Sequence, residues 1–196
     1  MRFSKLLFAV MGATVLLGAL VGSGSARNFE TSSQTTTGLW RRMDSFLNGG
    51  VLWECEVRLS GSFHTRTWTK TVNSLIGYIT EGTVLRCRRG GATINQASFP
   101  WHRQYRIFTG TLPNITGTSE TVTGDEWRIR EAFFGATCTI ARESSSIILT
   151  YAVSSGTVVE RNISGENSCS GISITFSGLE SNETNETGAR ITVRLI

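Results

Sequence analysis

The sequence predicts an all-β chain: a single-domain antiparallel β-sandwich or open barrel. Apolar residues recur with period two along most of its length, turn-forming pairs separate those runs, and four cysteines are spread across them. Antiparallel sheets with one wet face produce such alternation, because successive side chains point to opposite faces. Hydrophobic residues make up 39% of the 196 and recur throughout, which excludes a disordered chain. Setting aside a leader over 1–26 leaves 170 residues, a length suited to one core.

That leader is the first element. Met1–Lys5 carries Arg2 and Lys5, Leu6–Val21 is uncharged and apolar, and Gly22-Ser23-Gly24-Ser25-Ala26 supplies small residues. The order basic, apolar, small reads as a secretory signal peptide cut after Ala26. Its apolar stretch is 16 residues, interrupted by Gly12, Thr14 and Gly18, against the roughly 20 that a span needs. No later run is longer, so the expectation is a secreted, extracellular or cell-envelope protein with no membrane span after cleavage. Arg27–Gly38, polar and rich in Ser and Thr, reads as a flexible N-terminal segment ahead of one β domain over 39–196.

The domain begins with its one ambiguous stretch. Leu39, Trp40, Met43, Phe46 and Leu47 fit helical spacing as well as a strand, so one short helix fits 39–47. Asn48-Gly49 follows and favours a tight hairpin turn. Next, Val51, Trp53, Cys55, Val57 and Leu59 alternate with Leu52, Glu54, Glu56, Arg58 and Ser60, a half-buried strand. Glu81-Gly82, Arg89-Gly90-Gly91, Gly124-Asp125 and Ser155-Gly156 punctuate the middle of the chain. Ile147, Leu149, Tyr151 and Val153 share a face, as do Ile172, Ile174 and Phe176, and Ile191, Val193 and Leu195. The polar, acidic Glu180–Gly188 reads as a mobile loop between the last two strands.

Cys55, Cys87, Cys138 and Cys169 all follow the leader. An even count in an exported domain reads as two disulfides, and four cysteines permit three pairings. The separations, 32 residues for Cys55–Cys87 and 31 for Cys138–Cys169, favour the sequential one. With no C-x-x-C and only His64 and His102 as further soft ligands, neither a metal nor a cofactor is expected.

Charge narrows the partners. Removing Arg2 and Lys5 from 19 Lys+Arg leaves 17 against 15 Asp+Glu, a net charge of +2, so a dedicated nucleic-acid binder is not expected. Within the chain, Phe99-Pro100-Trp101-His102-Arg103-Gln104-Tyr105 is the most distinctive segment. Trp101 and Tyr105 suit stacking on a sugar or peptide, and His102 and Arg103 suit hydrogen bonding to it. Core packing of the rings is the plainer alternative. Glu54 and Glu56, alternate on one strand and therefore on one face, supply the two carboxylates that glycoside hydrolysis uses as acid and base. Ordinary solvated glutamates are again the plainer account. Arg128 and Arg130, alternating with Trp127 and Ile129, are flanked by Glu126 and Glu131, which predicts ion pairing.

The stretches GSFHTR (61–66), LIGYITE (75–81), PWH (100–102), FTGTLPNITG (108–117) and RITVRLI (190–196) together resemble a group of uncharacterised secreted bacterial proteins with four cysteines and a β-rich chain. The resemblance implies export and a β-rich fold; it brings no activity, cofactor or site residues. The function expected from the residues is therefore a non-catalytic binding or cell-envelope module. Its ligand would be cell-wall polysaccharide or another secreted protein, held by Trp101, His102, Arg103 and Tyr105. The first alternative is a secreted glycoside hydrolase using Glu54 and Glu56, and the second is a structural or inhibitory protein.

Overall fold

The structure, a computed structural model, describes residues 28–47, 50–111, 114–130, 137–140, 146–154, 157–169 and 172–196. The leader and the predicted turns Asn48-Gly49 and Ser155-Gly156 lie outside the described residues. Within them the strands are, in chain order, β1 (Asn28–Thr31), β2 (Thr35–Leu47), β3 (Gly50–Phe63), β4 (Thr67–Thr69), β5 (Leu75–Arg89), β6 (Gly91–Ile94), β7 (Trp101–Thr111), β8 (Asn114–Thr123), β9 (Trp127–Arg130), β10 (Thr137–Ile140), β11 (Ser146–Ser154), β12 (Thr157–Cys169), β13 (Ile172–Thr184) and β14 (Val193–Leu195). One 3-10 turn, Gln96–Ser98, is the only helical element described. No described helix is long and apolar enough to cross a membrane.

The all-β expectation holds, with a change of architecture. Eight strands close into an antiparallel barrel in the order β2, β3, β5, β7, β8, β11, β12, β13 and back to β2. The last closure pairs Thr184 with Thr37 and Thr175 with Phe46. The chain thus has a closed barrel where a sandwich or an open barrel was expected, and the barrel sheet keeps no free edge. Its neighbours follow sequence order around the wall. The two remaining sheets have three strands each, β14-β1-β4 and β10-β9-β6.

The stretch 39–47 is strand, not helix. Trp40 pairs with Val57 but Met43 pairs with Cys55, so β2 spends three residues where β3 spends two. This bulge puts Trp40 and Met43, both fully buried, into the core. A one-residue bulge in a period-two strand creates an i, i+3 apolar spacing that imitates a helix. The expected flexible lead-in is also structured from Asn28 onward: β1 pairs with both β14 and β4, and Phe29 is fully buried. Likewise most of Glu180–Gly188 belongs to β13, with Ser181, Asn182, Glu183 and Thr184 paired to β2.

The core runs through the barrel between the two small sheets. At one end, the β6–β9–β10 sheet buries Ala92, Ile94, Trp127, Ile129 and Ile140. The Trp127 ring lies 6.3 Å from that of Trp53 and 5.7 Å from that of Trp101. At the other end, Trp68 of β4 stacks 4.6 Å from Phe63, and Phe29 of β1 lies 5.5 Å from Tyr105. Trp53 and Phe63 stand near opposite ends of β3, so the small sheets cover opposite ends of the barrel. Gly61 and Gly77 allow β3 and β5 to approach closely: a Cβ on Gly77 would stand 2.1 Å from the Ser62 carbonyl oxygen, and one on Gly61 2.1 Å from that of Tyr78.

Cys55 and Cys87 sit opposite each other on β3 and β5 and form a disulfide, with Cα atoms 3.9 Å apart. Cys138 on β10 is also disulfide-bonded. The side chain of its expected partner, Cys169, lies outside the described set.

Candidate functional site

Strand β7 separates the four residues expected to bind together. Trp101, Arg103 and Tyr105 point into the core, with exposures of 0%, 0% and 3%, whereas His102 faces solvent. Strand periodicity is the reason: successive residues of one strand point to opposite faces, so His102 cannot share the face of Trp101, Arg103 and Tyr105. Trp101 stacks 4.6 Å from Phe99 and donates from Nε1 to Ser98 Oγ at 2.8 Å. Burial raises the Tyr105 hydroxyl above its ordinary pKa.

Arg103 organises the barrel interior. Its guanidinium grips Glu120 of β8 through Nε–Oε2 at 2.7 Å and Nη2–Oε1 at 2.9 Å. It also donates to Thr36 Oγ1 at 3.0 Å and to the Tyr151 hydroxyl at 2.6 Å. The Phe63 ring lies 4.1 Å from its Cζ. The side chains of this pair are 0% and 3% exposed. A bidentate, fully desolvated pair of this kind fixes how four strands face one another.

Glu54 and Glu56 stand on the outer wall of β3, and each is engaged by an arginine of β5. Arg88 Nη1 lies 3.3 Å from Glu54 Oε1, and Arg86 Nε lies 2.7 Å from Glu56 Oε2. Trp53 is turned to the opposite face, into the core. The carboxylate set directly across from Glu54 is Asp44 of β2, which sequence reading missed. Burial pushes the Asp44 carboxyl above its ordinary value, its ion pair with Arg42 at 2.7 Å opposes that rise, and Glu54 adds to it. Among the described residues, Arg128 and Arg130 form no ion pair with Glu126, which accepts from Asn95 Nδ2 at 2.9 Å. Glu131 lies outside the described residues.

The described surface has a polar cleft of about 370 Å³ beside the β14-β1-β4 sheet. Ser32–Thr35, Arg66 and Asn185–Thr187 line it. A smaller hollow of about 200 Å³ shares Ser32 and Arg66 and extends to Thr192 and Arg194. Local hydrogen bonding shapes both. Arg66 Nη2 donates to the Ser32 carbonyl at 2.6 Å, and Ser32 Oγ accepts from Thr192 N at 2.9 Å. Asn185 Oδ1 accepts from Thr187 N, Thr187 Oγ1 and Ala189 N at 2.8–3.0 Å, an Asx turn that holds the far wall.

Gln34 links this cleft to the two histidines. Its Nε2 donates to the His64 carbonyl at 3.0 Å. The His64 ring meets Tyr78 edge-on at 4.8 Å, and Tyr78 lies 5.5 Å from His102, its partner across β5 and β7. The only histidines of the chain thus flank one tyrosine on the outer wall. Their sequence signal was membership of the GSFHTR and PWH stretches. The cleft residues gave none, since its walls come from turns about 150 positions apart.

Among the described residues, no group of three or more His, Cys, Asp or Glu is placed to hold a metal ion. Comparison with family models, curated proteins and solved structures finds no match to this chain.

Proposed function

We propose that this chain is an exported, non-catalytic binding module of the extracellular space or cell envelope, and that its ligand is a hydroxyl-rich polysaccharide. The observation that carries the reading is the polar cleft of Ser32–Thr35, Arg66 and Asn185–Thr187, joined through Gln34 to the His64–Tyr78–His102 rings. Hydroxyls, amides and a guanidinium supply both donors and acceptors for sugar hydroxyls. The adjacent phenol and imidazoles supply ring surface for the C–H face of a sugar. Support for export comes from the leader over 1–26 and from disulfide bonding in a chain of this size.

The test mixes purified Arg27–Ile196 with isolated cell wall and a panel of insoluble polysaccharides. Bound protein and released soluble sugar are measured in the same tube. Retention on at least one polymer is expected, with loss of retention in Gln34→Ala/Tyr78→Ala at unchanged thermal stability. Retention that survives both substitutions moves binding away from the cleft. Release of sugar replaces binding by hydrolysis and makes Glu54→Gln and Glu56→Gln the next variants. If polymer is neither held nor cut, polysaccharide drops out and a secreted protein partner replaces it.

A further inference from the structure

The outer face of the β6–β9–β10 sheet is built unlike the cleft at the other end. Trp127 and Ile129 of β9 point to the core, so Arg128 and Arg130 point outward, and both are exposed. Across the sheet, Arg128 is flanked by Thr93 and Thr139, and Arg130 by Gly91 and Thr137. All three threonines are exposed. Cross-strand neighbours stand about 5 Å apart, so each guanidinium is bordered by hydroxyls and bare backbone. Arg89 ends β5 opposite Glu54 of β3 and leads into the β5–β6 turn. There Gly90 adopts φ 57° and packs so tightly on β9 that an added Cβ would lie 2.6 Å from the Arg130 carbonyl oxygen.

Among the described residues, none of Arg89, Arg128 and Arg130 has a carboxylate partner, whereas the nearby Arg86 and Arg88 are paired with Glu56 and Glu54. Arg41, Arg58 and Arg106 are also exposed, but each lies singly on a different barrel strand. Two guanidiniums at i and i+2 on one strand face repel one another until an anion intervenes. Guanidinium binds carboxylate through two parallel hydrogen bonds, and flanking threonine hydroxyls suit the sugar that carries it.

We propose that this sheet face is a second binding surface, and that its occupant is a carboxylate-bearing acidic polysaccharide. The surface is independent of the cleft reading, since the two lie at opposite ends of the barrel. The experiment measures binding of the exported chain to polygalacturonate and to the same polymer fully methyl-esterified. Arg128→Gln/Arg130→Gln and Gln34→Ala/Tyr78→Ala are tested in parallel, and tryptophan fluorescence confirms that each is folded. The expected result is binding to the acid form only and weakening with added salt. Affinity should fall about tenfold in the arginine variant and stay unchanged in the cleft variant. Equal binding to the ester, or full affinity in the arginine variant, overturns the proposal. So does binding to phosphatidylglycerol vesicles without binding to polygalacturonate, which would make the face a lipid-headgroup site.

Discussion

Replacing Glu120 by Gln is the most direct probe of how the barrel is held together. Arg103 has 0% exposure and spends two of its hydrogen bonds on the Glu120 carboxylate. The amide keeps the shape but removes the charge, leaving a guanidinium in the core without the carboxylate that neutralised it. Breaking one side of a buried pair costs about 3–5 kcal/mol. For a domain of this length each kcal/mol shifts Tm by about 2–4 °C, so a loss of about 6–20 °C is expected. The Arg103→Met/Glu120→Leu double variant removes both charges, and its cost should be smaller than that of Glu120→Gln alone. What it retains is the loss of the Arg103 hydrogen bonds to Thr36 and Tyr151, at about 0.5–1.5 kcal/mol each.

Urea unfolding followed by tryptophan fluorescence suits the measurement, because Trp101 and Trp127 lie in the same core. The slope m should stay constant while the midpoint moves. A Glu120→Gln cost below about 1 kcal/mol would refute the reasoning, since it would mean the pair is hydrated. Single-variant costs that simply add in the double would refute it as well, because contacting charges must couple.

Three other outcomes follow from local geometry. Asp44 has a folded pKa raised above 3.8, so the folded state binds its proton more tightly than the unfolded chain, and stability from this group is lost as pH rises from 3.8 through the raised value. Urea midpoints across that range should therefore fall more steeply for the parent than for Asp44→Asn; parallel curves would contradict the assignment. Replacing Cys55 and Cys87 together by Ala, which opens a link across 32 residues, should cost about 3–4 kcal/mol in a urea titration, and a cost near zero would reject the loop-closure account. Gly77→Ala forces a Cβ to 2.1 Å from the Ser62 carbonyl, so a loss above about 2 kcal/mol is expected, and wild-type stability would show that β3 and β5 separate without strain.

The legible part of the fold was its local part. Alternation at Val51–Leu59 and Ile147–Val153 reports a half-buried strand whatever sheet it joins, and both runs are strands here. Closure was not legible, because it depends on β13 meeting β2 across more than a hundred residues, and no local spacing encodes that. The bulge between Trp40 and Met43 then disguised a strand as a helix. The polar Asn28–Thr31 and Glu180–Thr184 looked like loops because the ladder partners that make them strands lie far away in the sequence. At the candidate site the same alternation, applied to Trp101–Tyr105, already separates Trp101, Arg103 and Tyr105 from His102. Grouping those four residues as one binding site overlooked it. Arg103's partner, 17 positions away on the neighbouring strand, and the cleft's two distant turns belong to tertiary geometry alone.

An eight-stranded barrel is just wide enough either to be filled by its own side chains or to hold one small ligand. Here Trp40, Trp53, Trp101, Met43 and the Arg103–Glu120 pair are buried within the described core. The energetic demands on those positions are severe, since a change of one methylene or one charge is felt throughout a close-packed interior. The two small sheets and the turns beside them answer to weaker demands. Their inner faces must stay apolar, but Thr93, Arg128, Arg130 and Thr139 on one, and Ser32, Gln34 and Arg66 around the other, lie where substitution costs little stability. The ends of the barrel are therefore where side-chain chemistry can be changed without repacking the core.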